Sequence, residues 1–193
     1  MAHASQQSVS RDRSQLRSVA SSLLRVGIVT VLFCLSAGIS IPVGPVPFTL
    51  QTLVLGIAVA TLKPSEAISA TVAYVAIGAM GAPVFSGYVG GLVRLLGPSG
   101  GFIYGFAAGA AAGSFLRALL ERTPLPKVVS TFAGVVAAIA VSYFFGWAQL
   151  VVMGGLTPAA AFAIGCAPFI LADLVKAALA TSIAVPLVRA ANK

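Results

Sequence analysis

The stretch APFILADLVKAALATSIAVP, residues 167–186, decides how the rest of the chain is read. It is apolar apart from Asp173 and Lys176, and it reaches the length of about 20 residues that a membrane helix needs. Positions three apart share one face of a helix, so the two charges are close enough to pair. Either charge at bilayer depth costs about 2.5–3.5 kcal/mol on insertion scales, which turns such residues toward the protein interior. Two readings follow. One is a ligand or ion site inside a helical bundle; the other is a self-neutralising salt bridge that only holds helices together.

Outward from this stretch the composition is of one kind. Of the 193 residues 59% are hydrophobic and 8% charged, against about 25% charged in soluble domains. Long unbroken apolar runs exclude a β-barrel, whose strands alternate apolar and polar residues. The fold class is therefore an all-α, polytopic membrane protein. The net charge of +8 is spread between hydrophobic segments, where it sets topology, so nucleic acid is not an expected partner. Cys34 and Cys166 lack CxxC spacing and read as small hydrophobes. His3, the single histidine, lies in the polar N-terminal segment, which leaves no HExxH and no Ser/His/Asp set. No metal, cofactor or catalytic residue is expected, and GxxxxGK[ST] is absent, so the chain carries no ATP-binding loop of its own. A proton-coupled carrier is disfavoured, because an ammonium beside Asp173 holds the carboxylate ionised.

The apolar runs divide the chain into a polar, basic N-terminal segment, 1–21, and a six-helix membrane domain, 22–193. The expected spans are 22–41, 49–62, 66–81, 101–120, 128–147 and 167–186. Pro42, Pro45 and Pro47 end the first span, since proline lacks an amide donor and restricts the residue before it. Ser65 is the expected cap of the third. Residues 82–101 are too rich in Gly and Pro for a plain helix, and irregular backbone at membrane depth has to be buried in protein or line a cavity. Gly105, Gly109 and Gly113 make a smooth face for close helix approach, within the bundle or between chains. Tyr143 and Trp147 suit an interfacial aromatic belt.

With the N-terminus cytoplasmic, Arg11, Arg13, Arg17, Arg25, Lys63, Arg117, Arg122, Lys127, Arg189 and Lys193 all lie inside, leaving only Arg94 and Lys176 of the 12 basic residues elsewhere. Both termini are expected to be cytoplasmic. Asp173 then lies about 9 Å and Lys176 about 13 Å from the outer end of the last span, at 1.5 Å per residue. The irregular segments 42–48 and 82–101 cover them.

Three segments in this order and spacing, IPVGPVPFTLQTL (41–53), GAMGAPVFSGYVGGLVRLLGPSGGFIYGF (78–106) and ADLVKA (172–177), resemble the BioY family. These are biotin-specific substrate-binding (S) components of energy-coupling factor (ECF) transporters, and the resemblance spans most of the chain from about residue 25. It implies an ECF S-component-like bundle of six transmembrane helices in a bacterial inner or plasma membrane. It also implies high-affinity capture of biotin from outside, not enzymatic catalysis, with a transmembrane coupling protein and two cytoplasmic ATPases supplying the energy.

On that resemblance the ligand-binding set is Asp173, Lys176, Gln51, Ser86, Tyr88, Arg94, Phe48 and Phe85. Asp173 would accept from a ureido N–H and Lys176 donate to the ureido carbonyl. Phe48, Phe85 and Tyr88 would flank the apolar ring and chain. Gln51 either bonds ligand or pins the outer loop. Ser86 and Tyr88 sit where members carry polar loop residues, although this chain has Tyr88 and Val89 where members carry Gly and a polar residue. Arg94 faces either the ligand's carboxylate or lipid and water. The first helix lacks a clear version of the small-residue pattern that docks such components to their coupling protein. The alternatives are an S component for another small vitamin-like anion and a non-transporting scaffold with a structural Asp173–Lys176 pair.

Overall fold

Three prolines between Ile41 and Phe48 exclude a helix there, and the chain answers with a short ribbon instead. In the computed structural model, which describes residues 2–191, strand β1 (Ser40–Ile41) runs antiparallel to β2 (Phe48–Thr49), with Ser40 opposite Thr49 and Ile41 opposite Phe48. All other regular structure is helical: α1 (Ala2–Ser36), α2 (Gln51–Thr61), α3 (Pro64–Ala79), α4 (Leu92–Leu96), α5 (Gly100–Leu120), α6 (Lys127–Gly154), α7 (Pro158–Gly165) and α8 (Ile170–Ala191). A 3-10 turn, Ala167–Phe169, joins α7 to α8.

Among the described residues, four stretches are long and apolar enough to cross a membrane: Gln15–Ser36, Gly100–Leu120, Lys127–Gly154 and Pro158–Val188. The last runs through α7 and α8. Helices α2 and α3, at 11 and 16 residues, fall short of the usual span of about 20. Large apolar side chains such as Leu23, Val31, Phe144 and Leu179 are exposed around the bundle, the pattern of a membrane protein.

The start of α3 departs from the expected Ser65 cap. Lys63 is the capping residue and Pro64 takes the first helical position, where a missing N–H costs nothing. Glu66 reaches back to accept from the Lys63 amide at 3.2 Å. The same buried carboxylate accepts from Ser22 Oγ at 2.7 Å and from Arg25 at 2.6 Å, tying α1 to α3. On the α2 side of the same turn, Arg117 on α5 donates to the carbonyls of Ala60 at 2.6 Å and Leu62 at 2.7 Å. Those carbonyls lack helical partners, and a guanidinium matches the negative end of the helix dipole.

The glycine face of α5 packs inside the bundle, against α6. A Cβ at Gly105 would lie 3.0 Å from the Ser142 carbonyl, and one at Gly113 would lie 2.7 Å from Ala138 Cβ. Gly109 abuts the Ala138 backbone. Three small residues at helical spacing thus bring two membrane helices to backbone contact. An aromatic cluster joins the remaining layers: Phe33 of α1 stacks on Tyr74 of α3 at 5.2 Å, and Phe85 meets Tyr74 edge-on at 5.5 Å.

Candidate ligand-binding site

The break at Cys166–Phe169 places Asp173 in the first turn of α8, at the positive end of the helix dipole, which favours a carboxylate. Both members of the DxxK pair are buried, Asp173 at 4% exposure and Lys176 at 6%. They bond directly, Lys176 Nζ to Asp173 Oδ1, at 2.7 Å. Neither stops there. Asp173 Oδ1 also accepts from Thr52 Oγ1 of α2 at 2.8 Å, and Oδ2 accepts from the Tyr143 phenol of α6 at 2.5 Å. Lys176 Nζ donates further to the Thr49 carbonyl at 2.7 Å and to Thr52 Oγ1 at 3.0 Å, and lies 3.8 Å from the centre of the Phe48 ring. A buried charge pair needs such additional partners to offset its desolvation.

These groups face a cavity of about 60 Å³ among the N-terminal ends of α2, α5 and α8, the ribbon and the middle of α6. Phe48, Phe102, Phe106 and Phe169 give it aromatic walls, with Phe48 and Phe169 stacked at 6.4 Å. Its charged lining is Arg94, Lys176 and Asp173, two cations and one anion, so the lining carries one net positive charge. The arrangement suits a small, partly apolar molecule with hydrogen-bonding edges and one negative charge.

Of the residues singled out from sequence, Asp173, Lys176, Gln51, Ser86, Arg94 and Phe48 converge on this cavity. Gln51 lines it while its amide donates to the Tyr74 phenol and its carbonyl accepts from Thr49 Oγ1 at 3.3 Å, so it pins α2 to α3. Ser86 lines it and shares a 2.6 Å hydrogen bond with Ser40, fastening the Gly-rich loop to the ribbon. Arg94, on α4, has a buried Nε with no partner among the described residues. Its short helix is held from beneath by Gln149 of α6, which donates to the carbonyls of Leu95 at 2.8 Å and Gly97 at 2.5 Å.

Phe85 and Tyr88 lie elsewhere. Phe85 is fully buried against Tyr74, in the space that Gly78 leaves open. Tyr88 sits at φ 56, at the tip of a turn closed by the Phe85 amide on the Val89 carbonyl at 2.9 Å. That left-handed conformation aims its ring away from the cavity lining and onto Gly38. Conversely, Thr52 and Tyr143 belong to the site although their sequence context did not single them out. Tyr143 reads as a belt residue until α6 is laid against α8. Thr52 stands beside Gln51, and its hydroxyl gains meaning only once a charge is known to face it.

The model of the BioY family matches residues 5–193. "Biotin transporter BioY" of Thermotoga maritima is 36% identical over 167 residues, covering 86% of this chain and 94% of that one. "Probable biotin transporter BioY" of Pyrococcus horikoshii is 34% identical, covering 82% and 91%. Among solved structures, the S-component for biotin from an ECF-type ABC transporter superposes with a TM-score of 0.82, covering 89% of this chain and 92% of that one at 24% identity, a likeness of fold. A family model that matches residues 5–193 and a relative 36% identical over 86% of the chain lead to one conclusion: this chain is a member of the BioY family.

Proposed function

We propose that this protein captures biotin in the cavity around Asp173 and Lys176 and serves as the substrate-binding component of an ECF-type vitamin transporter. The observation that carries the reading is the convergence of one anion, two cations and aromatic walls in a single buried site. Biotin's ureido ring offers two N–H donors and one carbonyl acceptor, and its tail one carboxylate. Asp173 can accept from an N–H, Lys176 can donate to the carbonyl, and Arg94 supplies a guanidinium for the carboxylate. Phe48 stands beside Lys176, placed to cover the apolar ring. Ligand sites usually enclose about 300–1,000 Å³, so admitting biotin requires the ribbon and the Gly-rich loop to move outward.

In this reading the protein is a multi-pass component of a bacterial inner or plasma membrane, with six spans and both termini cytoplasmic. The asymmetry of the basic residues supports that orientation. The short helices α2 and α3 complete the six, α2 enclosed by its neighbours and α3 with one face exposed at Ser69, Val72 and Ala76. A transmembrane coupling protein and two ATPases would supply energy.

The test is equilibrium binding of biotin to the purified protein. We expect about one biotin per chain, displaced poorly by other vitamins, with strong weakening in Asp173→Asn and Lys176→Ala. Affinity unchanged in both variants would remove the site assignment, and preference for another vitamin would reassign the ligand.

A further inference from the structure

A second cavity, of about 200 Å³, lies at the opposite end of the bundle. It is framed by the α2–α3 turn, the α5–α6 turn and the end of α8. Lys176 and Val185, the nearest lining residues on α8, are 9 positions apart, which separates the two cavities by about 14 Å along that helix. Its charged lining is Lys63, Arg117 and Lys127 against Glu121 alone. Arg117 is 9% exposed, and its two terminal nitrogens are committed to α2 carbonyls while its Nε has no partner among the described residues. The ion pairs among the described residues are Arg25–Glu66 and Lys176–Asp173, so Lys63 and Lys127 are not neutralised there. The opposite wall is apolar, made by Leu62, Val185 and Val188.

From these features we propose that this cavity binds a phosphate-bearing anion, with Lys63 and Lys127 gripping the phosphate and the Arg117 Nε–H as an inner donor. Guanidinium and ammonium groups are the usual partners of phosphate oxygens. Basic hollows between membrane helices at the lipid headgroup level hold anionic lipid heads, and the apolar wall is suited to the glycerol and first methylenes of such a lipid. A free phosphate shares the charge chemistry without using that wall.

The experiment follows the melting temperature of the purified full chain as a function of added short-chain phosphatidylglycerol, short-chain phosphatidylcholine or inorganic phosphate. Phosphatidylglycerol is expected to raise it. Half-saturation should move up about tenfold or more in the double variant Lys63→Gln/Lys127→Gln, since both cations hold the anionic headgroup. The charge-matched variant Arg17→Gln/Arg122→Gln, whose positions are outside the lining, should keep the wild-type response. Biotin binding should be unchanged in both double variants, and Lys127→Gln alone repeats the test if the pair folds poorly. An equal effect of inorganic phosphate would assign the site to the free anion, and an effect of phosphatidylglycerol alone would assign it to lipid. No response to either, an equal response to phosphatidylcholine, or equal weakening in the two double variants would overturn the proposal.

Discussion

The Tyr143 phenol on α6 donates a 2.5 Å hydrogen bond to Oδ2 of Asp173 on α8, the carboxylate oxygen that Lys176 does not contact. Tyr143 therefore fixes which edge of the carboxylate remains available to a ligand. Tyr143→Phe keeps the ring and its packing on Phe102 but frees that oxygen. Hydrogen bonds to charged groups contribute about 1.5–3 kcal/mol, so biotin affinity should fall roughly 10- to 100-fold if the phenol orients Asp173 for binding. Titration calorimetry on the variant checks this, and wild-type affinity would show that the orientation is immaterial.

Structural and ligand-binding roles for the buried pair separate in a double variant. Lys176→Met alone leaves an uncompensated buried carboxylate and should destabilise by about 3–5 kcal/mol. Asp173→Asn/Lys176→Met removes both charges together and should recover most of that loss. Biotin binding should stay abolished in it. Thermal melting and ligand binding on the same samples test both halves, and a double variant that binds normally would leave the pair a purely structural role.

Glu66 ties α1 to α3. Glu66→Gln keeps the shape but weakens its bonds to Ser22, Arg25 and the Lys63 amide. The expected cost is about 1–3 kcal/mol, toward the lower end because Arg25 is 43% exposed. Limited proteolysis near the α1 end should accelerate while biotin affinity at the distant cavity holds.

Two glycines in apolar helices should respond in opposite senses. Gly109→Ala drives a methyl into the Ala138 carbonyl of α6 and should lower the melting temperature. Gly27→Ala meets nothing within 4 Å and should be neutral or stabilising by up to about 1 kcal/mol, the helix-propensity difference. Equal effects would show that propensity, not packing, governs the α5–α6 contact.

Tyr88→Gly replaces a side chain at positive φ with the residue that prefers that conformation. Relief of left-handed strain, about 1–2 kcal/mol, competes with loss of the ring's contact on Gly38. Because Tyr88 stands outside the cavity lining, biotin affinity should change little. A large loss would return Tyr88 to the ligand-binding set.

The sequence was most readable where chemistry is expensive. Two charges in an apolar stretch have to find partners, so Asp173 and Lys176 could be singled out before any contact was known. The prolines between Ile41 and Phe48 likewise marked an irregular cover, and the glycine spacing of α5 marked a close approach. Pairing between distant helices was not readable. Whether the glycine face served the bundle or a second chain depended on α6 lying against it. Tyr143 passed for an interfacial residue because its partner is 30 positions away, and Phe85 passed for a ligand contact because its loop folds back onto Tyr74. Nothing local to Glu66 discloses that Ser22 and Arg25 converge on it.

The bond from Lys176 Nζ to the Thr49 carbonyl ends on the main chain of β2, the strand that also carries Phe48. The ammonium that would greet the ligand is thus the same group that fastens the cover. In the proposed binding mode, a ligand carbonyl that draws the lysine away would unlatch the ribbon, and a ribbon that opens would release the lysine for the ligand. Admission and recognition would then be one equilibrium rather than two successive steps. Measured affinity would carry the cost of unlatching within it, and a change at Pro42 or Pro45, outside the cavity lining, that loosens the latch would tighten binding without touching the ligand.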